Sequence, residues 1–259
     1  MKVTFIGAGN LAWHLAPAFD NAGHYVQEVY SLHPKNAKKL TSLLYRAEVK
    51  TTLDFSDSES HLFVIAVSDD SIEEVASKII LPPEAILIHT SGCKSLEILN
   101  VAGTLNIGVF YPIQIFHKER KINFKNISLL IECENESIAQ ELIRVGKDLC
   151  NKVERVSSQE RMILNLASVF ISNFNNHLVT ISKNIVSDSK FSFEMFKPLL
   201  RETIDNCLQI GSENAQGGVA YQGDMETLDI HYEHLLKSEP EYAVIYKLIS
   251  QNIIDYYSK

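Results

Sequence analysis

An α/β domain built on a parallel sheet, followed by an all-α domain, is the fold class that this sequence predicts. Three observations carry the prediction. Short β-branched runs alternate with amphipathic stretches over residues 1–156. The first run ends in a glycine-rich bend, Gly7-Ala8-Gly9, and the first amphipathic stretch starts from it. From Ser157 onward the patterning is helical only. Strands alternating with helices imply parallel β-α-β units. The expected domains are residues 1–156 and 157–259.

The expected strands are Val3 to Ile6, Tyr25 to Tyr30, Leu62 to Val67, Ala85 to His89, Ile107 to Phe110 and Ile127 to Ile131, with a weaker one from Lys152 to Val156. The runs starting at Leu62 and Ala85 are apolar on both faces, as expected of strands covered on both sides. Helical periodicity falls on Leu11 to Ala22, Pro34 to Leu44, Ile72 to Lys78 and Ser137 to Cys150. Ser157 and Glu160 have the spacing of a capping box. A long apolar-periodic stretch follows, from Arg161 to Val186. Further helices are expected over Pro198 to Ile210, Glu226 to Leu236 and Pro240 to Tyr257, with a glycine-bearing loop over Gly211 to Asp224.

Composition excludes several classes. The 259 residues are 46% hydrophobic, which is ordinary globular content, and the formal net charge is -8. Such a surface repels phosphate backbones, so no nucleic-acid partner is expected. Cys93, Cys133, Cys150 and Cys207 form no C-x-x-C pair, so no metal site is expected. His231 and His234 stand three apart, without the further ligands a metal needs. Unpaired cysteines fit a reducing compartment. No apolar run approaches the length of a membrane span, and the opening run is too short for a secretory signal. The expectation is a cytoplasmic protein with a small-molecule substrate.

The chemistry starts at Gly7-x-Gly9-x-x-Ala12. Gly7 suits a tight turn, Gly9 lets a pyrophosphate approach bare backbone, and Ala12 lets helix and strand pack closely. The backbone of Gly7, Ala8, Gly9, Asn10 and Leu11 is then the expected dinucleotide cradle, at the positive end of a helix. The end of the second strand selects between nicotinamide cofactors. An acid there holds the ribose of NAD. Here Glu28 lies within the strand, and the loop beyond it offers Ser31 and His33, with Lys35, Lys38 and Lys39 nearby. That set favours a 2'-phosphate, hence NADP. Val67 and Ser68 end the next apolar strand and are expected to contact the cofactor, with Asp69 or Asp70 capping the following helix. Ser91 and Gly92 end another strand, where they should meet the nicotinamide or the substrate. Gln114, after the next strand, is a candidate for orienting a substrate carbonyl or carboxylate.

The segments IGAGNLAWHLA, VYS, FVIAVSDDSIEEVA, HTSG, YPIQIF, ASVFISNFNNHL and GDMETLDIHYEHL stand in the order found in one bacterial family. The chain resembles, over essentially its whole length, the Rossmann-like proteins with an uncharacterised helical C-terminal domain. These are related to pyrroline-5-carboxylate reductase, ketopantoate reductase and the 6-phosphogluconate dehydrogenase group. The resemblance implies an NADP-binding Rossmann domain and a helical domain that completes an active site and forms a homodimer. It implies hydride transfer to or from a small keto acid or imine held between the domains. An NADP-binding sensor without turnover is the alternative. Many relatives have arginine where Leu32 stands, and histidine where Tyr111 and Asn165 stand.

Asn165, Ser168, Ser172, Asn173, Asn176 and His177 dot an otherwise apolar helical stretch. Buried polar groups cost about 1–3 kcal/mol each unless paired, so this stripe needs partners or a ligand. Relatives use a lysine and an asparagine on the corresponding helix, but no lysine lies between Arg161 and Lys183. His177 is then the candidate proton donor, with Asn173 and Ser91 beside it in catalysis. Gln114, Asn173 and Asn176 are the candidate substrate contacts.

Overall fold

The computed structural model describes residues 1–187 and 189–258. By contacts the chain divides into two compact units, Met1–Asn173 and Phe174–Lys259. In secondary structure the change to helices comes earlier, after the last strand ends at Arg155.

The first unit holds an eight-stranded sheet. Its strands are β1 (Lys2–Ile6), β2 (Tyr25–Tyr30), β3 (Glu48–Lys50), β4 (Leu62–Ile65), β5 (Ile86–His89), β6 (Ile107–Pro112), β7 (Ser128–Glu132) and β8 (Lys152–Arg155). They lie in the order β3-β2-β1-β4-β5-β6-β7-β8. The helices of this unit are α1 (Asn10–Asn21), α2 (Pro34–Thr41), α3 (Ile72–Lys78), α4 (Glu136–Leu149) and α5 (Ser158–Val169). The α/β class and the helical second half stand as the sequence predicts.

Side chains of β1 and β4 alternate between two cores, as the period of a strand requires. Val3, Phe5, Leu62 and Val64 join α1, α2 and α4 on one face. Ile6, Phe63 and Ile65 join α3 and the 3-10 helix Leu96–Ala102 on the other. β4 and β5 are buried at every position, which explains their unbroken apolar runs.

Four departures from expectation have local causes. β3 escapes detection because it is three residues long and two of them are charged. The β5–β6 crossover is a 3-10 helix rather than a full α-helix. β7 runs antiparallel to β6, whereas every other pair is parallel. The connection between β6 and β7 carries one 3-10 turn, Phe124–Asn126, and no α-helix of the kind that usually makes a parallel crossover. The glycine-bearing loop after residue 210 contains two helical turns, α8 (Ser212–Ala215) and α9 (Val219–Gln222).

The second unit contains α6 (Asn175–Ile185), α7 (Lys197–Ile210), α10 (Met225–Ser238) and α11 (Pro240–Tyr257) as well as those two turns. Ser157 and Glu160 form the expected capping box at the start of α5. Between α5 and α6 the chain makes a π-helical segment, Phe170–Phe174. Ser168 and Ser172 donate to the carbonyls of Asn165 and Ser168, at 2.7 and 2.5 Å. These serines satisfy themselves on their own helix, a pattern that also bends helices.

Candidate cofactor site

β1 ends at Ile6, and Gly7 turns the chain with φ +114. The Gly7 amide donates to the Tyr30 carbonyl at 2.8 Å, and a Cβ on Gly7 would lie 2.2 Å from the Ala66 carbonyl oxygen. Only glycine permits this approach between the ends of β1 and β4. Gly9 is different. Its φ of -77 suits any residue, and a Cβ there would meet nothing within 4 Å. The space it leaves is outside the protein's own packing. Gly9 caps α1 without a side-chain hydrogen bond, and the first turn holds no acid. The first amides of α1 therefore lack the usual side-chain acceptor.

These amides border a cavity of about 600 Å³, lined by all five residues from Gly7 to Leu11. Ser31, His33, Val67 and Ser68 line it too, so nine of the expected cofactor contacts share one cavity. The cavity sits where the strand order reverses, between β1 and β4. Ligands of open α/β sheets bind at such a point, beyond the carboxyl ends of the strands.

At the β2 end, the Ser31 hydroxyl accepts from the His33 amide at 3.3 Å, while Leu32 is 79% exposed. Glu28 is turned away from the cavity into the protein. Its carboxylate accepts from Thr4 and Ser58 and pairs with Lys50 at 3.4 Å. It is thus committed internally. Lys35, Lys38 and Lys39 stand on the exposed face of α2, outside the lining. The lysines that do line the cavity are Lys78, which pairs with Glu74, and Lys118.

Ser91 and Gly92, after β5, lie outside that lining in a knot of mutual bonds. The Ser91 hydroxyl donates to Asp69 at 2.9 Å and accepts from the amides of Cys93 and Lys94. Asp69 therefore bridges two strand ends, and neither Asp69 nor Asp70 caps α3; Asp70 faces Lys94. The Cys93 thiol also donates to Asp69, and burial with that carboxylate pushes its pKa up, against a role as nucleophile. His89 is buried and held neutral, its pKa lowered to about 4 by desolvation first and by Arg161 next. Its Nε2 bonds the Ser95 carbonyl and its Nδ1 accepts from the Ser91 amide.

The knot closes on Arg161 of α5, which is 1% exposed. Its Nε meets Glu132 of β7 at 2.8 Å, and its two terminal nitrogens donate to the carbonyls of Ser91 and Lys94. Ser158 donates to the other Glu132 oxygen. Sequence reasoning did not find this node. The signals were an acid at the end of an apolar strand and an arginine opening an apolar helix, but nothing in the sequence pairs them. The two positions where relatives carry histidine also meet: Tyr111 donates to the Asn165 side chain at 2.9 Å. Burial raises the Tyr111 pKa. A Cβ on Gly92 would lie 2.5 Å from Asn165 Oδ1 and 2.7 Å from Tyr111 Cζ, so this pair requires glycine there.

Gln114 is exposed, and its side chain accepts from the Ile115 amide. Asn173 is exposed and accepts from Ser172. Asn176 and His177 are exposed on α6, in the second unit. Among the described residues, no group of three or more His, Cys, Asp or Glu suits a metal ion, and no helix is long and apolar enough to cross a membrane. His231 bonds the Tyr246 hydroxyl at 3.0 Å.

Residues 1–109 match the Rossmann-like domain, and residues 127–253 match a domain of unknown function, DUF2520. No curated protein matches the chain. Among solved structures it is similar to one from Bacteroides fragilis named "putative NADP oxidoreductase", at 29% identity, TM-score 0.88 and 98% coverage of both chains. A Thermotoga maritima protein follows at 19% identity, TM-score 0.73, covering 99% of this chain and 98% of its own. A reductive aminase from Aspergillus terreus, in complex with NADPH and ethyl levulinate, shares the fold at 15% identity and TM-score 0.62, over 90% of this chain and 77% of that one. The DUF2520 match begins before β7, so that domain takes in the end of the sheet as well as the helices. The chain thus joins a Rossmann-like domain to a DUF2520 domain, as its ordered motifs lead one to expect.

Proposed function

We propose that the protein is an NADP-dependent oxidoreductase that transfers hydride to or from a small keto acid or imine. One observation carries this reading: the first amides of α1 and the open flank of Gly9 face a cavity at the strand-order switch. The residues present fit NADP. Bare backbone from Gly7 to Leu11 suits the diphosphate. Ser31 and His33, in the same cavity lining, are the proposed contacts of the 2'-phosphate, and Glu28, the one acid of β2, is committed elsewhere. Bound there, the nicotinamide supplies or accepts the hydride. Ser91 and Gly92 hold the β5 end of the site, and the Ser91–Asp69 bond ties that end to Asp69 in the cavity wall. His177 and Asn173 are the proposed proton-handling pair, with Gln114 and Asn176 as polar contacts for the substrate. Four free cysteines fit a reducing cytoplasm.

A second reading, a sensor that binds NADP without turnover, is favoured by a specific feature. Ser91, His89, Tyr111 and Asn165 bond to one another or to nearby backbone. The experiment is NADPH oxidation over a panel of keto acids and imines, with NADPH binding measured in parallel. Binding with turnover supports the oxidoreductase; binding without turnover on any member supports the sensor; no binding dismisses both.

We also propose a homodimer. α7 spans 14 residues and buries none of them, leaving Leu199 63% and Leu208 80% exposed. An amphipathic helix with no fully buried residue has apolar surface left for a partner, and a second copy is the commonest one. Sedimentation giving only the monomer mass at micromolar concentration would dismiss this.

A further inference from the structure

We infer that Lys118 is a cofactor-binding residue, and that the group it holds is the diphosphate. This rests on the NADP reading above. Lys118 belongs to no nucleotide motif and lies 110 positions from the glycine-rich turn, yet its ammonium donates to the Ala8 carbonyl at 3.3 Å. Ala8 is the middle residue of the Gly7–Gly9 bend, and Lys118 lines the same cavity.

The placement is built, not incidental. The chain from Phe116 to Lys118 is fastened to α1 at successive positions. Phe116 is buried and stacks on Phe124 with ring centroids 5.8 Å apart. His14 of α1 lies against Phe116 and bonds the His117 carbonyl at 2.8 Å. The Lys118 ammonium then sits 4.9 Å over the Trp13 ring. An ammonium held between an aromatic face and the Ala8 carbonyl is fixed beside the turn.

Its charge is also uncommitted. Lys78, the other lysine in the lining, pairs with Glu74, and Lys94 pairs with Asp70. Lys118 meets no carboxylate within 4 Å among the described residues. It meets a neutral carbonyl and an aromatic ring. The glycine-rich turn offers amides and a helix dipole but no side-chain cation, and the first turn of α1 has none either. Lys118 supplies that cation from the far side of the sheet sequence. Its position at Ala8, rather than at Ser31 and His33, assigns it to the diphosphate and not to the 2'-phosphate.

Trp13 is the single tryptophan, so it provides a local reporter. The test titrates NADPH and NADH into the full-length protein and follows energy transfer from Trp13 to the reduced nicotinamide. Wild type, Lys118→Met and Lys118→Arg are compared. Both nucleotides carry the diphosphate, so Lys118→Met should weaken both by a similar factor, about tenfold, with Lys118→Arg recovering most of the loss. Equal affinities in wild type and Lys118→Met overturn the inference and leave the NADP reading standing. A loss confined to NADPH also overturns it, because the lysine then reads the 2'-phosphate. If wild type binds neither nucleotide, the NADP reading itself fails.

Discussion

The loop after β1 and the loop after β5 both leave the carboxyl end of one sheet, but they use their polar groups in opposite ways. After β1 the amides of the first α1 turn have no side-chain cap, and Gly9 faces space that no protein atom fills. After β5 the Ser91 hydroxyl and carbonyl, the His89 ring and the Arg161 guanidinium are all engaged by neighbours. Buried polar groups must be paired, and those at a ligand site can wait for the ligand. The first loop is therefore built to receive something, and the second to stay where it is. Three glycines draw a similar line residue by residue. Gly7 and Gly92 are glycine because the protein leaves no room, whereas Gly9 is glycine although room exists.

The comparison can be broken most severely at Arg161. Arg161→Met leaves Glu132 buried without its cation, and such a loss costs about 3–5 kcal/mol. Chemical denaturation should register it, and adding Glu132→Leu to remove the second charge should restore much of the loss. An unchanged midpoint for the single variant would show that the knot does not hold the β5 loop.

Gly7→Ala comes next. Its Cβ would strike the Ala66 carbonyl at a φ of +114, so strain of at least about 1–3 kcal/mol is expected in the protein without ligand. Thermal unfolding measures it directly.

Acid sensitivity distinguishes the β5 loop in another way. Burial lowers the His89 pKa to about 4 in the folded protein from its ordinary value of 6.5. The unfolded chain therefore takes up a proton that the folded chain refuses. Stability should fall as pH drops below 6.5 and the loss should be complete below about 4, on the order of 3 kcal/mol at most. His89→Gln should flatten that part of the stability-versus-pH curve; an identical curve for the variant would remove His89 as the cause.

At the β2 end the expected effect is smaller. His33→Ala combined with Ser31→Ala should lower the preference for NADPH over NADH by about tenfold while leaving NADH affinity near wild type. Comparing the two dissociation constants checks it, and an unchanged ratio would place 2'-phosphate recognition elsewhere.

The glycine turn, the alternation of strands and helices and nine residues that line one cavity were legible because each depends on local pattern. Gly7 to Leu11 are contiguous, and Ser31, His33, Val67 and Ser68 follow strand ends that apolar runs mark plainly. Arg161 with Glu132, and Lys118 with Ala8, were not legible. Each pair joins residues brought together by the folding of the chain, with no periodicity to announce them. The lysines chosen from sequence, Lys35, Lys38 and Lys39, were close in the chain but face away from the cavity. β7 escaped correct orientation for the same reason: its direction shows in its antiparallel pairing with β6, not in its own residues.

The claim on which the rest depends is that the turn after β1 binds a diphosphate on bare backbone. Calorimetric titration of NADPH into wild type and Gly9→Ala, side by side, tests it most directly. A Cβ at Gly9 meets nothing in the protein, so unfolding of the variant should match wild type within about 0.5 kcal/mol. The account predicts that NADPH affinity nevertheless falls by about tenfold or more, because the methyl group occupies the phosphate's approach. Equal heats and equal affinities for the two proteins would contradict it.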